Sequence, residues 1–309
     1  MTNAKSVTVA VCTRNRAPSL KRAVRSVLEE LATSRWASDP QFCVLIVDNG
    51  STDATAECVR GLQKREPRIR YVLEPTAGIA VARNRALAEL DTDVVVFIDD
   101  DETVCPGFIE AHLDTYEQHP ACVAVGGAMD LYFDTGAPRW VSPALMGLYS
   151  SYPVSEGTCR PLEPGENPPF GGNLSLLAAV AHECGGFDPA FGRVDKSLVG
   201  GEETVLLEAM RSAGREIWVT GAARIRHHVP AERARLSWVL RRSVGQGRTE
   251  QRIAGDHAWA PIIPHLLFGG LRLFAKRRSF RPPVLVEYAV HRVYWVGRLT
   301  EAIADRRSR

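Results

Sequence analysis

The stretch Val94-Val95-Val96-Phe97-Ile98-Asp99-Asp100-Asp101-Glu102 passes from five apolar side chains to four acids with nothing between them. A short run of β-branched and aromatic residues without a polar position predicts a strand buried on both faces, as in a sheet covered by helices. Adjacent carboxylates repel, and the repulsion is costly unless a cation or strong donors offset it. Hard divalent ions such as Mg2+ and Mn2+ take oxygen ligands and often hold substrate phosphates at the same time. In open α/β sheets ligands bind beyond the carboxyl ends of the strands, which is where these acids fall. The plainer alternative is a solvated acidic turn; the position directly after a buried strand favours the ligand-binding reading.

Outward from this stretch, strand and helix patterns alternate. Val7 to Cys12, Cys43 to Val47 and Arg70 to Leu73 are short apolar runs and predict strands. Ala17 to Leu31 carries Leu20, Ala23, Val24, Val27, Leu28 and Leu31 at helical spacing, with Pro18 in its first turn. Thr52 to Leu62 and Ile79 to Leu90 predict further helices. Strands alternating with helices imply an α/β three-layer sandwich with a mostly parallel central sheet. Past Cys105 the pattern loosens. A helix is expected over Pro106 to His119, a strand over Cys122 to Ala128, and a long loop over residues 134–170, where Gly and Pro are frequent. Leu174 to Ala181 is short and apolar. A helix over Glu202 to Ala213 stops at Gly214, and short strands follow at Glu216 to Val219 and Ala223 to Ile225. Residues 231–252 read as a basic helix. Residues 261–304 hold two apolar, Arg-rich helical stretches separated by Pro282-Pro283.

A second acidic pair, Gly200-Gly201-Glu202-Glu203, opens a predicted helix. First-turn acids complement the helix dipole, which is explanation enough for ordinary capping. The functional alternative is a general base, because a hydroxyl acceptor must lose its proton as it attacks. His227-His228 follows a short strand, and in a chain with an acidic cluster such a pair is a candidate metal ligand, against the alternative of a core or surface histidine.

With 309 residues, 45% hydrophobic and 24% charged, the composition is that of a globular protein able to bury a large core, not of a disordered one. The net charge of +2 selects no partner class, and no nucleic-acid partner is expected. Seven scattered cysteines without a CxxC pair argue against a zinc ribbon and for a reducing, cytoplasmic setting. No leader-like N-terminus is visible, and no apolar run reaches the roughly 18 residues of a membrane span.

These elements in this order resemble glycosyltransferase family 2, with its GT-A (Rossmann-like) fold. Val9 to Arg16 is similar to the family's first strand and Thr-x-Asn-Arg turn. Val47-Asp48-Asn49-Gly50-Ser51-Thr52-Asp53 is similar to its Val-Asp-Asp-Gly-Ser-x-Asp signature, and Gly78 to Asn84 to its Gly-x-x-x-Ala-Arg-Asn segment. Ile98-Asp99-Asp100-Asp101 resembles its Asp-x-Asp motif. Phe170-Gly171-Gly172-Asn173 and Gly185-Gly186-Phe187-Asp188 resemble acceptor-side segments, and Gly201-Glu202-Glu203 sits where the family has Glu-Asp. The resemblance covers about residues 7–230.

The resemblance implies a sugar moved from a nucleotide-diphosphate sugar to an acceptor hydroxyl, with inversion and with help from Mn2+ or Mg2+. It implies a nucleotide-sugar site of Thr13, Arg14, Asn15, Arg16, Asp48, Asn49, Gly78, Arg83, Asp99 and Asp100. Metal contacts would come from Asp101, Asp99 and His227, the acceptor side from Gly172 and Asn173, and the base from Glu203, with Glu202 as rival. Asn49 replaces a usual Asp, which leaves base preference open although a UDP-sugar is favoured. Glu203 replaces a usual Asp, so the acceptor would sit about one methylene further away.

A catalytic domain is expected over 1–230, with a nucleotide-binding half to about 128 and an acceptor half over 129–230. Residues 231–309 would be a C-terminal helical extension. Its 261–304 stretch is a candidate for peripheral contact with the inner face of a membrane, through apolar and basic side chains. The alternative is packing on the protein itself or in a homodimer. Two other function classes compete. A nucleotidyltransferase would carry a Gly-rich basic loop after the first strand, which Thr13-Arg14-Asn15-Arg16 is not. A non-catalytic nucleotide-sugar-binding protein would have lost the base, and Glu203 is an acid.

Overall fold

The computed structural model describes residues 6–38, 42–194, 197–255, 262, 265 and 282–307. Four strands, β1 (Val7–Thr13), β2 (Cys43–Asp48), β3 (Ile69–Leu73) and β4 (Val94–Asp99), lie side by side in the order β3-β2-β1-β4, and all three pairings are parallel. Parallel neighbours need crossovers, and helices α1 (Ala17–Thr33), α2 (Thr55–Gln63) and α3 (Ile79–Ala88) stand between them in the chain. Alternate side chains of one strand enter opposite layers, as the two-residue period requires. Val7, Val9 and Val11 join Val94, Val96 and Ile98 in a core with the apolar face of α1. Ala10 and Cys12 join Val95 and Phe97 in a second core with Ala82 and Ala86 of α3. This is the three-layer α/β sandwich that the alternating pattern predicts.

Beyond β4 the sheet becomes antiparallel. β5 (Glu102–Val104) and α4 (Phe108–Gln118) come first, then β6 (Cys122–Phe133), β7 (Cys159–Pro161), β8 (Asn173–Leu177), α5 (Ala178–Glu183), α6 (Glu202–Ser212) and β9 (Glu216–Val229). The order continues β4-β8-β6-β9-β5, with β7 on β9. β8 runs antiparallel to β4 and to β6, and β9 antiparallel to β5 and β7. The central sheet is therefore mixed, parallel over β3-β2-β1-β4 and antiparallel where β8 joins β4 and β6.

Several elements differ from the sequence reading. The two strands expected at 216–219 and 223–225 are one strand, β9, in which Gly221 continues the ladder: a Cβ there would lie 1.8 Å from the Ser155 carbonyl oxygen. The apolar run 174–181 divides into β8 and α5, since an apolar run alone does not distinguish strand from helix. The long loop contains a short 3-10 helix (Pro143–Tyr149) as well as β7. α2 begins at Thr55 rather than Thr52, because Thr52 and Asp53 give their backbone N–H groups to Asn15 Oδ1.

The chain divides into two compact units. One comprises Met1–Asp130, Ser151–Ala190 and Glu202–His228; the other comprises Leu131–Ser150, Phe191–Gly201 and Val229–Arg309. The second unit is built on α7 (Leu236–Ala254) and α8 (Pro282–Arg307), which pack with almost no separation. A Cβ on Gly247 would lie 2.0 Å from the Tyr294 carbonyl oxygen, and one on Gly297 2.1 Å from that of Val244. Glu301, buried in this seam, accepts bonds from Arg248 Nε at 2.8 Å and Arg252 Nε at 2.8 Å. Pro282 and Pro283 form the first turn of α8, where a missing N–H costs nothing. Most of the apolar stretch expected before them lies outside the described residues.

Candidate active site

The acids after β4 lie at the carboxyl ends of the parallel strands. β1 and β4 are adjacent, with Cys12 opposite Asp99. Thr13 at the end of β1 therefore meets the next residue, and its hydroxyl donates to Asp100 Oδ2 at 2.7 Å. Arg16 Nη1 donates to Asp100 Oδ1 at 2.8 Å and to Asp101 Oδ2 at 2.9 Å. Burial, opposed by Arg16 and reinforced by Asp101, pushes the Asp100 carboxyl up to about 6.

Asp99, Asp101 and Glu102 each offer a carboxylate oxygen within 4.8 Å of the others. Glu102 is almost wholly buried, and its Oε2 accepts the Asp99 N–H at 2.7 Å. Burial first, then the charges of Asp99 and Asp101, raises its carboxyl well above the ordinary range. It stands opposite His227 across the β5–β9 pairing, while the His228 N–H donates to the Asp101 carbonyl at 2.9 Å. His227 Nε2 lies 3.6 Å from Asp101 Oδ1. Three convergent carboxylate oxygens fit a hard divalent cation, whose charge would relieve the mutual repulsion. Glu102 joins Asp99 and Asp101 in this group; its place in the acidic run hinted at that, but the run alone did not separate it from Asp100. Gly172 leaves the space it needs: a Cβ there would be 2.3 Å from Glu102 Oε1.

Arg83 links this cluster to the second acidic pair. It is 3% exposed. Its Nη1 donates to Glu202 Oε1 at 2.7 Å and its Nη2 to Asp99 Oδ1 at 3.2 Å. The guanidinium lies over the rings of Phe97 and Phe187, and a Cβ on Gly171 would come within 2.1 Å of Nη1. Burial opposes its charge, yet Glu202 and Asp99 more than restore it, so the guanidinium stays protonated. Glu202 is buried with it, whereas Glu203, in the same first turn of α6, is half-buried.

The remaining expected residues fall into two groups. Asp48, at the end of β2, accepts from the Ser51 N–H at 2.8 Å and the Tyr71 hydroxyl at 2.9 Å. Asn49 accepts the Gly78 N–H at 2.8 Å and donates to the Thr76 carbonyl at 2.6 Å, so it fastens the turn before α3. Gly78 has φ of 142°, which glycine adopts without strain. Asn15, with φ of 55°, pins the β1–α1 turn to residues 51–53, and Arg14 beside it is half-buried. Asn173 stands apart. It is fully buried in β8 and donates to the Ala128 and Ala223 carbonyls at 2.9 Å, while its Oδ1 faces His112 Nε2 at 3.0 Å. Its side chain is spent inside the sheet rather than on an open face.

Residues 8–181, more than half of the chain, match the sequence profile of glycosyl transferase family 2. The chain belongs to glycosyltransferase family 2. Among curated relatives of this family 2 enzyme, the succinoglycan biosynthesis protein ExoM of Rhizobium meliloti (strain 1021) is 29% identical over 254 residues, 82% of this chain and 76% of that protein. The glucosyl-dolichyl phosphate glucuronosyltransferase of Haloferax volcanii is 30% identical over 254 residues, covering 79% of this chain and 76% of that one. In fold, the glycosyltransferase is similar to mannosyltransferase PcManGT of Pyrobaculum calidifontis, solved with GDP-Man and Mn2+. The TM-score is 0.61 at 19% identity, over 98% of this chain and 88% of that one.

Proposed function

We propose that this glycosyltransferase moves a sugar from a nucleotide-diphosphate sugar to an acceptor hydroxyl with inversion, and that a divalent cation, Mn2+ or Mg2+, assists. The observation that carries the reading is the convergence of Asp99, Asp101 and Glu102 at the carboxyl end of the parallel strands. In this reading they hold the cation, with His227 beside Asp101. Bound there, the ion would supply positive charge to the departing diphosphate. Asp48 would face the base, the turn Thr13 to Arg16 and Gly78 would border the nucleotide, and Asp100 would stay tied to Thr13. A UDP-sugar remains the favoured donor, and PcManGT's GDP-Man makes a guanine nucleotide the second one to test.

Glu203 is proposed as the base that accepts the hydroxyl proton. Glu202 is the weaker rival because its carboxylate is committed to Arg83 in a buried ion pair. Arg83 itself is proposed to steady the site from below rather than to reach the nucleotide from its buried position. The domain reading is proposed in the same terms, with chemistry in 1–230 and support from 231–309. For residues 261–304 the packing of α8 on α7 favours a structural role over a membrane one. Ranking thermal shifts of the protein with UDP-, GDP- and dTDP-sugars in Mn2+ tests the donor reading, since a ligand bound to the folded state raises apparent stability. A donor shifted only in Mn2+ is expected; no shift from any sugar nucleotide would contradict the reading.

A further inference from the structure

Resting on the reading that Asp101 holds a divalent cation, we infer that Arg16 is the internal counter-cation of that site and competes with the metal for it. One nitrogen, Nη1, bonds both Asp100 Oδ1 and Asp101 Oδ2, at 2.8 and 2.9 Å. The two carboxylate side chains are 6% and 11% exposed, so water does little to separate their charges, while the Arg16 side chain as a whole is 41% exposed. Arg16 therefore offsets the same carboxylate repulsion that a cation held by Asp101 would offset.

The arrangement restricts what can move. The Arg16 carbonyl accepts the Leu20 N–H at 3.0 Å and opens α1. Asn15, before it, is fixed by its bonds to Ser51, Thr52 and Asp53. Backbone and turn are pinned, and the long, half-exposed side chain is the part free to swing. A divalent ion on Asp101 would stand a few ångströms from a like-charged guanidinium that bonds the same carboxyl group, and such juxtaposition is unfavourable. Metal and guanidinium therefore compete for the Asp101 carboxylate, each weakening the other's hold on it. A guanidinium released at this place suits a diphosphate, because its planar fork bonds two anionic oxygens at once. The cation alone is thus opposed by Arg16, whereas cation and nucleotide diphosphate together give Arg16 a new anion. Each ligand then strengthens the other, and the coupling is reciprocal.

Titration with Mn2+ alone, followed by calorimetry and by the electron paramagnetic resonance of free Mn2+, tests this without turnover. Arg16→Gln keeps a polar side chain and removes the charge, and it should bind Mn2+ about tenfold more tightly than wild type, the scale of one partly screened, charge-assisted bond. Arg16→Lys restores the charge and should return the affinity to within about twofold of wild type. Asp101→Asn should abolish binding in either background. Arg16→Met serves if the Gln variant melts early. Equal or weaker Mn2+ binding by the neutral variants, with binding still lost in Asp101→Asn, would overturn the counter-cation role and leave the metal reading standing. Absence of Mn2+ binding from every variant, also with UDP or GDP present, would overturn both.

Discussion

Glu202 and Glu203 are neighbours in sequence and opposites in setting. Glu202 is held by Arg83 at 2.7 Å with both side chains buried, whereas Glu203 is half-buried at the head of α6. Glu203→Gln keeps size and hydrogen bonding but accepts no proton, so kcat should fall by at least about a hundredfold with donor KM nearly unchanged. Glu202→Gln should act on stability instead. It leaves the buried Arg83 charge without its nearer partner, a loss of about 3 kcal/mol on the scale of broken buried pairs, read from denaturant midpoints. A hundredfold kcat loss in Glu202→Gln alone would move the base by one residue. At this scale much was legible in the sequence. The clustering of the Asp99 to Glu102 acids was legible because apolar strand and charge meet there, and three of the four carboxylates do converge. Arg83's two partners were not legible: they lie 16 and 119 residues away and meet only through the sheet and α6. The inward turn of the Asn173 side chain was not legible for a related reason, since a Gly-Gly-Asn segment says nothing of which face its amide enters.

Among the elements, β8 and α4 share a buried polar chain. The Tyr116 and Ser175 hydroxyls lie 3.1 Å apart, Ser175 Oγ lies 3.0 Å from His112 Nδ1, and His112 Nε2 lies 3.0 Å from Asn173 Oδ1. The Asn173 oxygen can only accept, so Nε2 of His112 carries a proton, and in the neutral ring that burial favours Nδ1 accepts from the Ser175 hydroxyl. Burial pushes this histidine from 6.5 down to about 4. Its unfolded form therefore binds the proton first as pH falls. The stability tied to neutral His112 is fully present above about pH 6.5 and is lost between there and pH 4, by about 3 kcal/mol in all. Denaturant midpoints of wild type and His112→Asn across that window should differ in slope, the variant being flatter. Parallel slopes would contradict the buried neutral assignment. The strands and helices of the first hundred residues were legible because the strands are short, mostly apolar runs and the helices carry a 3.6-residue period. The single long β9 was not, since Gly221 reads as a break until the chain packed against it is seen.

For the whole molecule, the first unit contains each residue assigned to the chemistry, and the second is a helical body held by the α7–α8 seam. No helix among the described residues is long and apolar enough to cross a membrane. The seam uses Gly247 and Gly297 for close approach, and Glu301 pairs with Arg248 and Arg252 of the helix that the sequence shows as basic. The full chain should accordingly stay in the supernatant when spun with anionic liposomes at low salt. Salt-sensitive pelleting would return 261–304 to a membrane-binding role, carried by exposed Leu285, Val296 and Ile303.

The central claim is a metal-assisted transfer at Asp99, Asp101 and Glu102. Release of nucleoside diphosphate from the donor picked out by thermal shift, measured in Mn2+ and then in excess EDTA, tests it most directly. The account predicts turnover that stops in EDTA, returns on adding Mn2+ or Mg2+, and is missing from Asp101→Asn under either condition. Undiminished wild-type turnover in excess EDTA would contradict it.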